Sequence, residues 1–329
     1  MRMLPPAQAA VTGLVERLRS GDTRSLARAI SLVENDSPGA VDLLSACFPH
    51  TGRAVRIGIT GSPGAGKSTL VDKLARAWRE AGVSVGIIAV DPSSAFTGGA
   101  ILGDRIRMQE RIGDGGLYVR SMATRGALGG LARSTADVSQ VIEASGKDLV
   151  LIETVGVGQD EIDIVRLADV TIVVLVPGMG DEVQTIKAGI MEIADIFVIN
   201  KADREGADRV EREIRAMQSL AAEHPLRITP ILKTTATTGA GLDELLSAVE
   251  EMKRWLAQED RLEGRRTAYW RERIEQMVQH SLLIEARTHG LSREEIDAHA
   301  ARVAAGDEDP YRLVPRLVER VFAVHGVRS

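Results

Sequence analysis

A glycine-rich loop in the first quarter of the chain has the residue types and spacing to bind a phosphate chain. It matches G-x-x-x-x-G-K-[ST] in full, with Gly61, Ser62, Pro63, Gly64, Ala65, Gly66, Lys67, Ser68 and Thr69. The glycines let several backbone N–H groups turn toward one anion, Lys67 can reach the β- and γ-phosphates, and the Ser68 hydroxyl can ligate Mg²⁺. A predicted strand, Val55–Thr60, precedes the loop and a predicted helix, Lys67–Ala81, follows it. A chance glycine-rich turn lacks that context, so the loop predicts a nucleotide-binding site.

The pattern N-K-x-D indicates which base is bound. Asn200, Lys201 and Asp203 stand at the end of a predicted strand, Ile196–Asn200, where the ligand crevice of a parallel sheet lies. An aspartate there can accept hydrogen bonds from the N1–H and 2-amino groups of guanine, and adenine offers neither donor in that geometry. The pattern is weak alone and strong downstream of a phosphate loop, so it predicts guanine selectivity.

A third short segment follows the next predicted strand, Ile228–Lys233. Its residues are Thr235, Ala236 and Thr237, which would complete the base pocket through backbone contacts. A plain strand-to-helix turn with Gly239 and Gly241 explains the segment equally well.

A carboxylate at the end of another predicted strand, Leu149–Glu153, provides the second phosphate-sensing element. Glu153 can hold Mg²⁺ through water, and the N–H of Gly156 can contact the γ-phosphate. We expect Lys67, Glu153 and Gly156 to act on the transferred phosphate. No glutamine stands directly after Gly156, so we assign no general base.

Two further carboxylates lie between these motifs, Asp91 at the end of a predicted strand and Asp104 in a glycine-rich stretch. Mg²⁺ prefers oxygen ligands, so both are expected near the metal together with Ser68 and Glu153. The alternatives are a helix cap for Asp91 and a solvated loop charge for Asp104.

The elements that must position these residues alternate along the middle of the chain. Apolar strands between helices predict an α/β fold of the P-loop NTPase type, a mostly parallel sheet sandwiched by helices, with helical extensions at both ends. The further predicted strands and helices are Val83–Val90, Leu117–Ser121, Leu131–Ala144, Val170–Val176, Arg204–Ala222 and a helix from Leu242. We divide the chain into an N-terminal helical extension (1–54), a nucleotide-binding domain (55–255) and a C-terminal helical arm (256–329). Helix breaks are expected in the arm at Gly264, His289-Gly290 and Asp309-Pro310.

Composition narrows the classes of function. The chain has 329 residues, 41 basic against 46 acidic residues and 3% aromatic residues, which argues against a nucleic-acid binder. Its single cysteine, Cys47, excludes a disulfide framework, and the scattered histidines do not indicate a transition-metal site. No apolar run reaches the roughly 18 residues of a membrane helix, and no apolar signal core follows the N-terminus. The expectation is a cytoplasmic protein that contacts neither membrane nor nucleic acid.

Half of the aromatic residues fall in the predicted arm or directly before it, from Trp255 onward. They are Trp255, Tyr269, Trp270, Tyr311 and Phe322. Aromatic side chains are favoured anchors of protein interfaces, so they suggest dimerisation through the arm. The competing explanation is that they fasten the arm onto the nucleotide-binding domain.

Together these residues resemble the MeaB/ArgK-type GTPases, the group that includes the human methylmalonic aciduria type A protein. The resemblance covers essentially the whole chain. It is carried by Gly61–Thr69, Asp91-Pro92-Ser93-Ser94, Gly98–Met108, Arg125–Leu131, Glu153–Gln159, Pro177–Asp181 and Asn200–Asp203.

The resemblance implies a homodimeric, weakly active GTPase that binds GTP and GDP with Mg²⁺. It also implies that the protein is a chaperone for a B12-dependent acyl-CoA mutase, usually methylmalonyl-CoA mutase, whose adenosylcobalamin loading it gates and which it protects. An additional switch loop of the family would map to Asp181, Glu182, Gln184 and Lys187. Two alternatives stay open, a metallochaperone-type GTPase and a small-molecule or protein kinase.

Overall fold

The computed structural model describes residues 6–91, 115–123, 130–154, 166–178, 193–221, 227–289 and 291–324. The chain divides after Leu262 into two compact units. The first unit contains a seven-stranded sheet and most of the residues that carry the motifs. The second unit is helical in its described part.

The sheet of the first unit is parallel throughout. Its strands are β1 (Val55–Gly61), β2 (Val85–Asp91), β3 (Leu117–Ala123), β4 (Leu149–Thr154), β5 (Val170–Leu175), β6 (Ile196–Asn200) and β7 (Ile231–Thr234). They lie in the order β3-β2-β4-β1-β5-β6-β7, so β1 is central. The chain runs from β1 out to β3 at one edge, returns to β4 beside β1, and then runs outward through β5, β6 and β7 on the other side. The carboxyl ends of all strands therefore meet at one edge, where an open α/β sheet binds its ligands. The predicted P-loop NTPase architecture is confirmed.

Helices cover both faces of this sheet. In the first unit they are α1 (Pro6–Arg19), α2 (Thr23–Glu34), α3 (Ala40–Cys47), α4 (Lys67–Glu80), α5 (Gly130–Ala144), α6 (Ala207–Ala221) and α7 (Leu242–Leu256), with a 3₁₀ turn at Phe48–His50. The apolar residues of α4 and α7 pack with those of β1, β4, β5 and β6 in one core cluster. The apolar residues of α6 pack with the opposite faces of β5 and β6 in a second cluster.

The predicted strand Ile228–Lys233 begins later than expected. The strand β7 starts at Ile231, because Pro230 has no N–H to give to a ladder and uses only its carbonyl, which accepts from the Phe197 N–H at 2.9 Å. The other predicted elements of this unit agree with the observed ones to within a few residues.

A repeated aspartate fixes the register of the sheet at its amino edge. Asp148, Asp169 and Asp195 each stand one residue before a strand, and the carboxylate of each accepts a backbone N–H from a neighbouring strand or its entry. Since the strand period is two residues, a slip of one residue would turn the apolar faces around, and these bonds oppose it. The donors are the N–H groups of Ser84 at 2.8 Å, Arg56 at 2.9 Å and Thr171 at 2.9 Å.

The N-terminal helices pack on α5 and join it to the sheet edge. Glu34 pairs with Arg120 of β3, and Asp36 pairs with Arg133 of α5 at 2.6 Å. In the same bundle Cys47 is buried, and burial raises the pKa of its thiol to about 11. The cysteine is thus a small core residue rather than a reactive group.

The second unit continues from α8 (Arg261–His289) through α9 (Arg293–Ala304) to α10 (Pro310–Val324). The predicted break at Gly264 is wrong, because α8 runs through it. A single glycine costs a helix only about 1 kcal/mol, which a helix of 29 residues absorbs. The chain instead turns before α8, where Glu259 and Asp260 both have φ of 53°. The breaks predicted near His289 and at Asp309-Pro310 are confirmed.

Candidate nucleotide-binding site

The phosphate loop joins β1 to α4, and glycine is required at both of its ends. At Gly61 φ is 144°, and a Cβ there would lie 2.0 Å from the carbonyl oxygen of Val174. At Gly66 φ is 87°, and a Cβ would lie 2.5 Å from Nδ2 of Asn200. A side chain at either position would therefore collide with a neighbouring strand end or with the predicted base pocket. The first and last glycines of the motif are therefore needed both for the turn of the backbone and for the close approach of neighbouring atoms.

The ammonium group of Lys67 lies inside the loop. Its Nζ donates to the carbonyl oxygens of Gly61 at 2.6 Å and Ser62 at 2.9 Å, and the residue is only 4% exposed. A buried ammonium needs such partners, because desolvation without them is costly. The charge is therefore held at the N-terminus of α4, in position to meet an anion.

Ser68 and Glu153 are brought together across 85 residues of sequence. The Ser68 hydroxyl donates to Oε1 of Glu153 at 2.5 Å, and Glu153 is buried at the end of β4. A hydroxyl and a carboxylate at the carboxyl edge, next to the phosphate loop, are the oxygen donors that Mg²⁺ prefers. These two residues fit the predicted metal site.

Other residues predicted around the metal and the γ-phosphate fall outside the described part of the chain. Asp91 ends β2 at the same edge of the sheet, and its side chain is not described. Asp104, Gly156 and the predicted switch residues Asp181, Glu182, Gln184 and Lys187 lie in ranges that are not described at all.

Asn200 ties the base-recognition motif to the phosphate loop. Its side-chain Nδ2 donates to the carbonyl oxygen of Ala65 at 2.8 Å. Its Oδ1 accepts from the N–H of Ala236 at 3.0 Å and from the hydroxyl of Thr234 at 3.1 Å. One buried amide thus connects β6, the phosphate loop and the segment after β7, and it uses donor and acceptor together.

Lys201 and Asp203 extend the same arrangement toward solvent. Lys201 has φ of 57°, and its Nζ donates to the carbonyl oxygen of Gly64 at 2.7 Å. The exposed carboxylate of Asp203 accepts from the hydroxyl of Thr235 at 3.3 Å. The carboxylate is held from one side and open on the other, as a base-reading group must be.

The segment Thr235–Thr237 therefore does more than turn the chain. Ala236 supplies an N–H to Asn200 and Thr235 supplies a hydroxyl to Asp203, whereas Thr237 is exposed. Thr234, which was not predicted from the sequence, also takes part, because its hydroxyl donates to Oδ1 of Asn200. Its only signal is a hydroxyl at the last position of a strand that leads into the pocket.

Sequence comparison decides the family. Residues 26–290 match the family described as methylmalonyl Co-A mutase-associated GTPase MeaB. The chain belongs to the MeaB family. Members of this family are P-loop GTPases, so the protein is a hydrolase that acts on GTP and binds GTP and GDP.

Curated relatives of this MeaB-family chain agree. A protein of Pyrococcus horikoshii named as a GTPase is 48% identical over 94% of this chain and 97% of its own. GTPase ArgK of Escherichia coli is 35% identical over 89% of each chain. The methylmalonic aciduria type A homolog, mitochondrial, of Mus musculus is 32% identical over 95% of this chain and 79% of its own.

A solved structure described as a LAO/AO transport system kinase has the same fold. It superimposes with a TM-score of 0.71 at 27% identity, over 97% of this chain and 99% of its own. The likeness includes the regions on both sides of the MeaB-family nucleotide domain.

The described residues of this MeaB-family chain also lack two other kinds of feature. None of the described helices combines the length and the apolar character needed to cross a membrane. The described side chains also contain no cluster of three or more His, Cys, Asp or Glu placed to hold a metal. The side chains of Asp91 and Asp104 are not among those described.

Proposed function

We propose that the protein is a Mg²⁺-dependent GTPase that acts as a chaperone in the cytoplasm. Its client would be a B12-dependent acyl-CoA mutase, most simply methylmalonyl-CoA mutase, whose adenosylcobalamin loading it gates and which it protects. The observation that carries the proposal is the match of residues 26–290 to the mutase-associated GTPase family. The relation to the methylmalonic aciduria type A homolog supports the same kind of client.

In the proposed mechanism the phosphate chain replaces the carbonyl partners of Lys67. The ammonium moves from Gly61 and Ser62 onto the β- and γ-phosphates, and the loop N–H groups bind the remaining oxygens. Ser68 and Glu153 would hold Mg²⁺, with Asp91 and Asp104 as further candidates, and the bound ion would neutralise charge on the phosphates. Gly156 would donate its N–H to the γ-phosphate.

The base pocket of the proposal consists of Asn200, Lys201 and Asp203, supported by Thr235 and Ala236. Asn200 keeps the pocket in register with the phosphate loop through Ala65, so base and phosphates are read by one connected unit. The switch residues Asp181, Glu182, Gln184 and Lys187 would report the nucleotide state to the client. The functional division proposed with this mechanism is 1–54, 55–255 and 256–329.

Recovery of the client from lysate tests the chaperone proposal. Immobilised full-length protein is incubated with GDP or with a non-hydrolysable GTP analogue, and bound proteins are identified by mass spectrometry. A B12-dependent mutase is expected, in amounts that differ between the two nucleotides, and Lys67→Ala serves as the control that removes this difference. Recovery of a hydrogenase or urease component would overturn the choice of client and favour a metallochaperone.

We further propose that the arm dimerises the protein. Residues Ile274, Val278 and Leu282 recur every four positions on α8 and are 56%, 52% and 51% exposed. A stripe of that spacing forms one apolar helix face, and such faces are normally covered. The aromatic residues contribute less to the exposed surface of the arm than their number suggests. Among those whose side chains are described, only Tyr311 is strongly exposed.

Molar mass measured by light scattering tests the dimer. The wild type is expected to have twice the chain mass, and Val278→Asp is expected to shift it toward the monomer at micromolar concentration. The matched control is Ile228→Asp, which places the same charge at an apolar residue of the first unit that is 76% exposed. A dimer unchanged by Val278→Asp would remove the α8 stripe from the interface.

A further inference from the structure

Two buried threonine hydroxyls join the phosphate loop strand to the strand that carries Glu153. The hydroxyl of Thr154 donates to Oγ1 of Thr60 at 2.9 Å. Thr154 is fully buried and Thr60 is 2% exposed. Breaking a buried hydrogen bond of this kind is costly, because bulk water does not replace the lost partner.

The pair lies where the backbone pairing of the two strands stops. The register of β1 with β4 ends at Ile59 and Glu153, and the next residue on each strand is the threonine. Thr154 remains paired with Val90 of β2 on its other side. The side-chain bond therefore extends the contact between β1 and β4 by one residue, at the carboxyl edge of the sheet.

Both threonines stand next to the machinery of the reaction. Thr60 leads directly into Gly61, and Thr154 stands between Glu153 and the Val155-Gly156 pair. Since successive side chains of a strand point to opposite faces, Glu153 reaches Ser68 on one face while Thr154 reaches Thr60 on the other. The end of β4 is thus fixed to the phosphate-loop side of the structure by a hydrogen bond on each face.

We propose that Thr154 is a positioning residue for GTP hydrolysis, acting through its bond to Thr60. The bond fixes the end of β4, and thereby the position of Glu153, which with Ser68 is proposed to hold Mg²⁺ beside the γ-phosphate. The inference rests on the proposed site, because it takes Glu153 and Ser68 as the residues that would hold Mg²⁺. It assigns no contact with nucleotide to either threonine.

A positioning role for Thr154 predicts an effect on nucleotide affinity that a merely structural role would not produce. In the proposed site GDP is held by the phosphate loop and the base pocket, whereas GTP is held in addition through its γ-phosphate, beside which Ser68 and Glu153 would place Mg²⁺. Loss of the threonine bond should therefore weaken GTP binding and slow hydrolysis while it leaves GDP binding close to wild type. The ratio of the two affinities is independent of the fraction of folded protein.

The test compares Thr154→Val, which keeps the shape of the side chain and removes the hydroxyl, with Thr154→Ser, which keeps the hydroxyl. Affinities for GDP and a non-hydrolysable GTP analogue are measured by calorimetry, and hydrolysis by single turnover. Thr154→Val is expected to lower the GTP-to-GDP affinity ratio and the hydrolysis rate about three- to tenfold, the usual effect of one hydrogen bond. Thr154→Ser is expected to restore both.

Thr60→Val removes the acceptor of the same bond and is measured in parallel, so the test does not depend on one variant. The double variant is expected to be no worse than either single one, since both remove one interaction. The matched control is Thr135→Val on α5. Thr135 is also fully buried, and its hydroxyl contacts Sδ of Met122 at 3.9 Å, away from the phosphate loop. This control is expected to leave the affinity ratio unchanged.

Two results would overturn the inference. One is a wild-type affinity ratio and hydrolysis rate in both Thr154→Val and Thr60→Val. The other is an equal loss of GDP and GTP binding in them, which would assign the hydroxyls to the fold alone. Failure of the proposed site itself is distinguishable, because Lys67→Ala would then bind nucleotide like the wild type.

Discussion

Replacing Lys67 by alanine is expected to abolish tight GTP binding, because it removes the ammonium group that is buried inside the phosphate loop. In the structure this group makes two hydrogen bonds to loop carbonyls and is almost completely buried. Bonds from a charged donor to phosphate contribute about 1.5–3 kcal/mol each, so the loss of two corresponds to at least about a hundredfold in affinity. Titration calorimetry with GTP and with GDP measures it.

The matched control is Lys73→Ala, a lysine of the same helix that lies outside the loop. It is expected to bind both nucleotides like the wild type. The melting temperature of the nucleotide-free proteins separates binding from folding, because Lys67→Ala also leaves the carbonyls of Gly61 and Ser62 without this donor. Wild-type affinity in folded Lys67→Ala would contradict the assignment of the phosphate loop.

The fold was predictable because its strands are short apolar runs, and β1, β4 and β6 each lead into a recognisable motif. Buried strands such as β4, β5 and β6 have no exposed face, so they contain almost no polar interruption. The aspartates before them mark where each strand starts, although their role in register became clear only from the contacts with the neighbouring strand. Periodicity alone could not show it, since the partners are distant in sequence.

The site was predictable in its parts and less so in its connections. The motif spacing predicts Asn200 in the base pocket, whereas its bonds to Ala65 and Ala236, which connect β6 with two separate loops, became clear only from the structure. The same holds for Thr60 and Thr154, which are ordinary strand residues until the register brings them together. Such pairs depend on which strands are neighbours, and one sequence does not contain that information.

The error at Gly264 has a different cause. Glycine was taken as a helix break, but its cost is small beside the cooperative stability of a long helix. The actual turn uses Glu259 and Asp260 in the left-handed region, where sequence preference would have placed glycine or asparagine. Local propensity was therefore misleading at both positions.

Asp203→Asn is the second variant with a large expected effect, because it exchanges one acceptor oxygen for a donor in the base pocket. Guanine offers two donors, N1–H and the 2-amino group, and the carboxylate accepts both. An amide accepts one and opposes the other. GTP affinity should fall by about a hundredfold or more, because one charge-assisted hydrogen bond is lost, the other becomes a weaker neutral one, and two donors face each other.

The same exchange makes a gain of binding possible. Xanthine has a carbonyl in place of the 2-amino group, so the amide of asparagine can accept from N1–H and donate to that carbonyl. Asp203→Asn should therefore bind xanthosine triphosphate more tightly than GTP, with the wild type showing the reverse order. A variant that is simply misfolded would bind neither, so the gain separates base recognition from damage to the protein.

The control for this variant is Asp208→Asn, which removes the same charge five residues further along. Asp208 is highly exposed and pairs with Lys233 at 2.6 Å, an ammonium whose pKa the hydrogen bond to Asp208 raises. It lies outside the base pocket, so its loss should leave the order of GTP and xanthosine triphosphate unchanged. Equal binding of GTP and ATP by the wild type would refute the base-pocket argument, because Asp203 would then discriminate nothing.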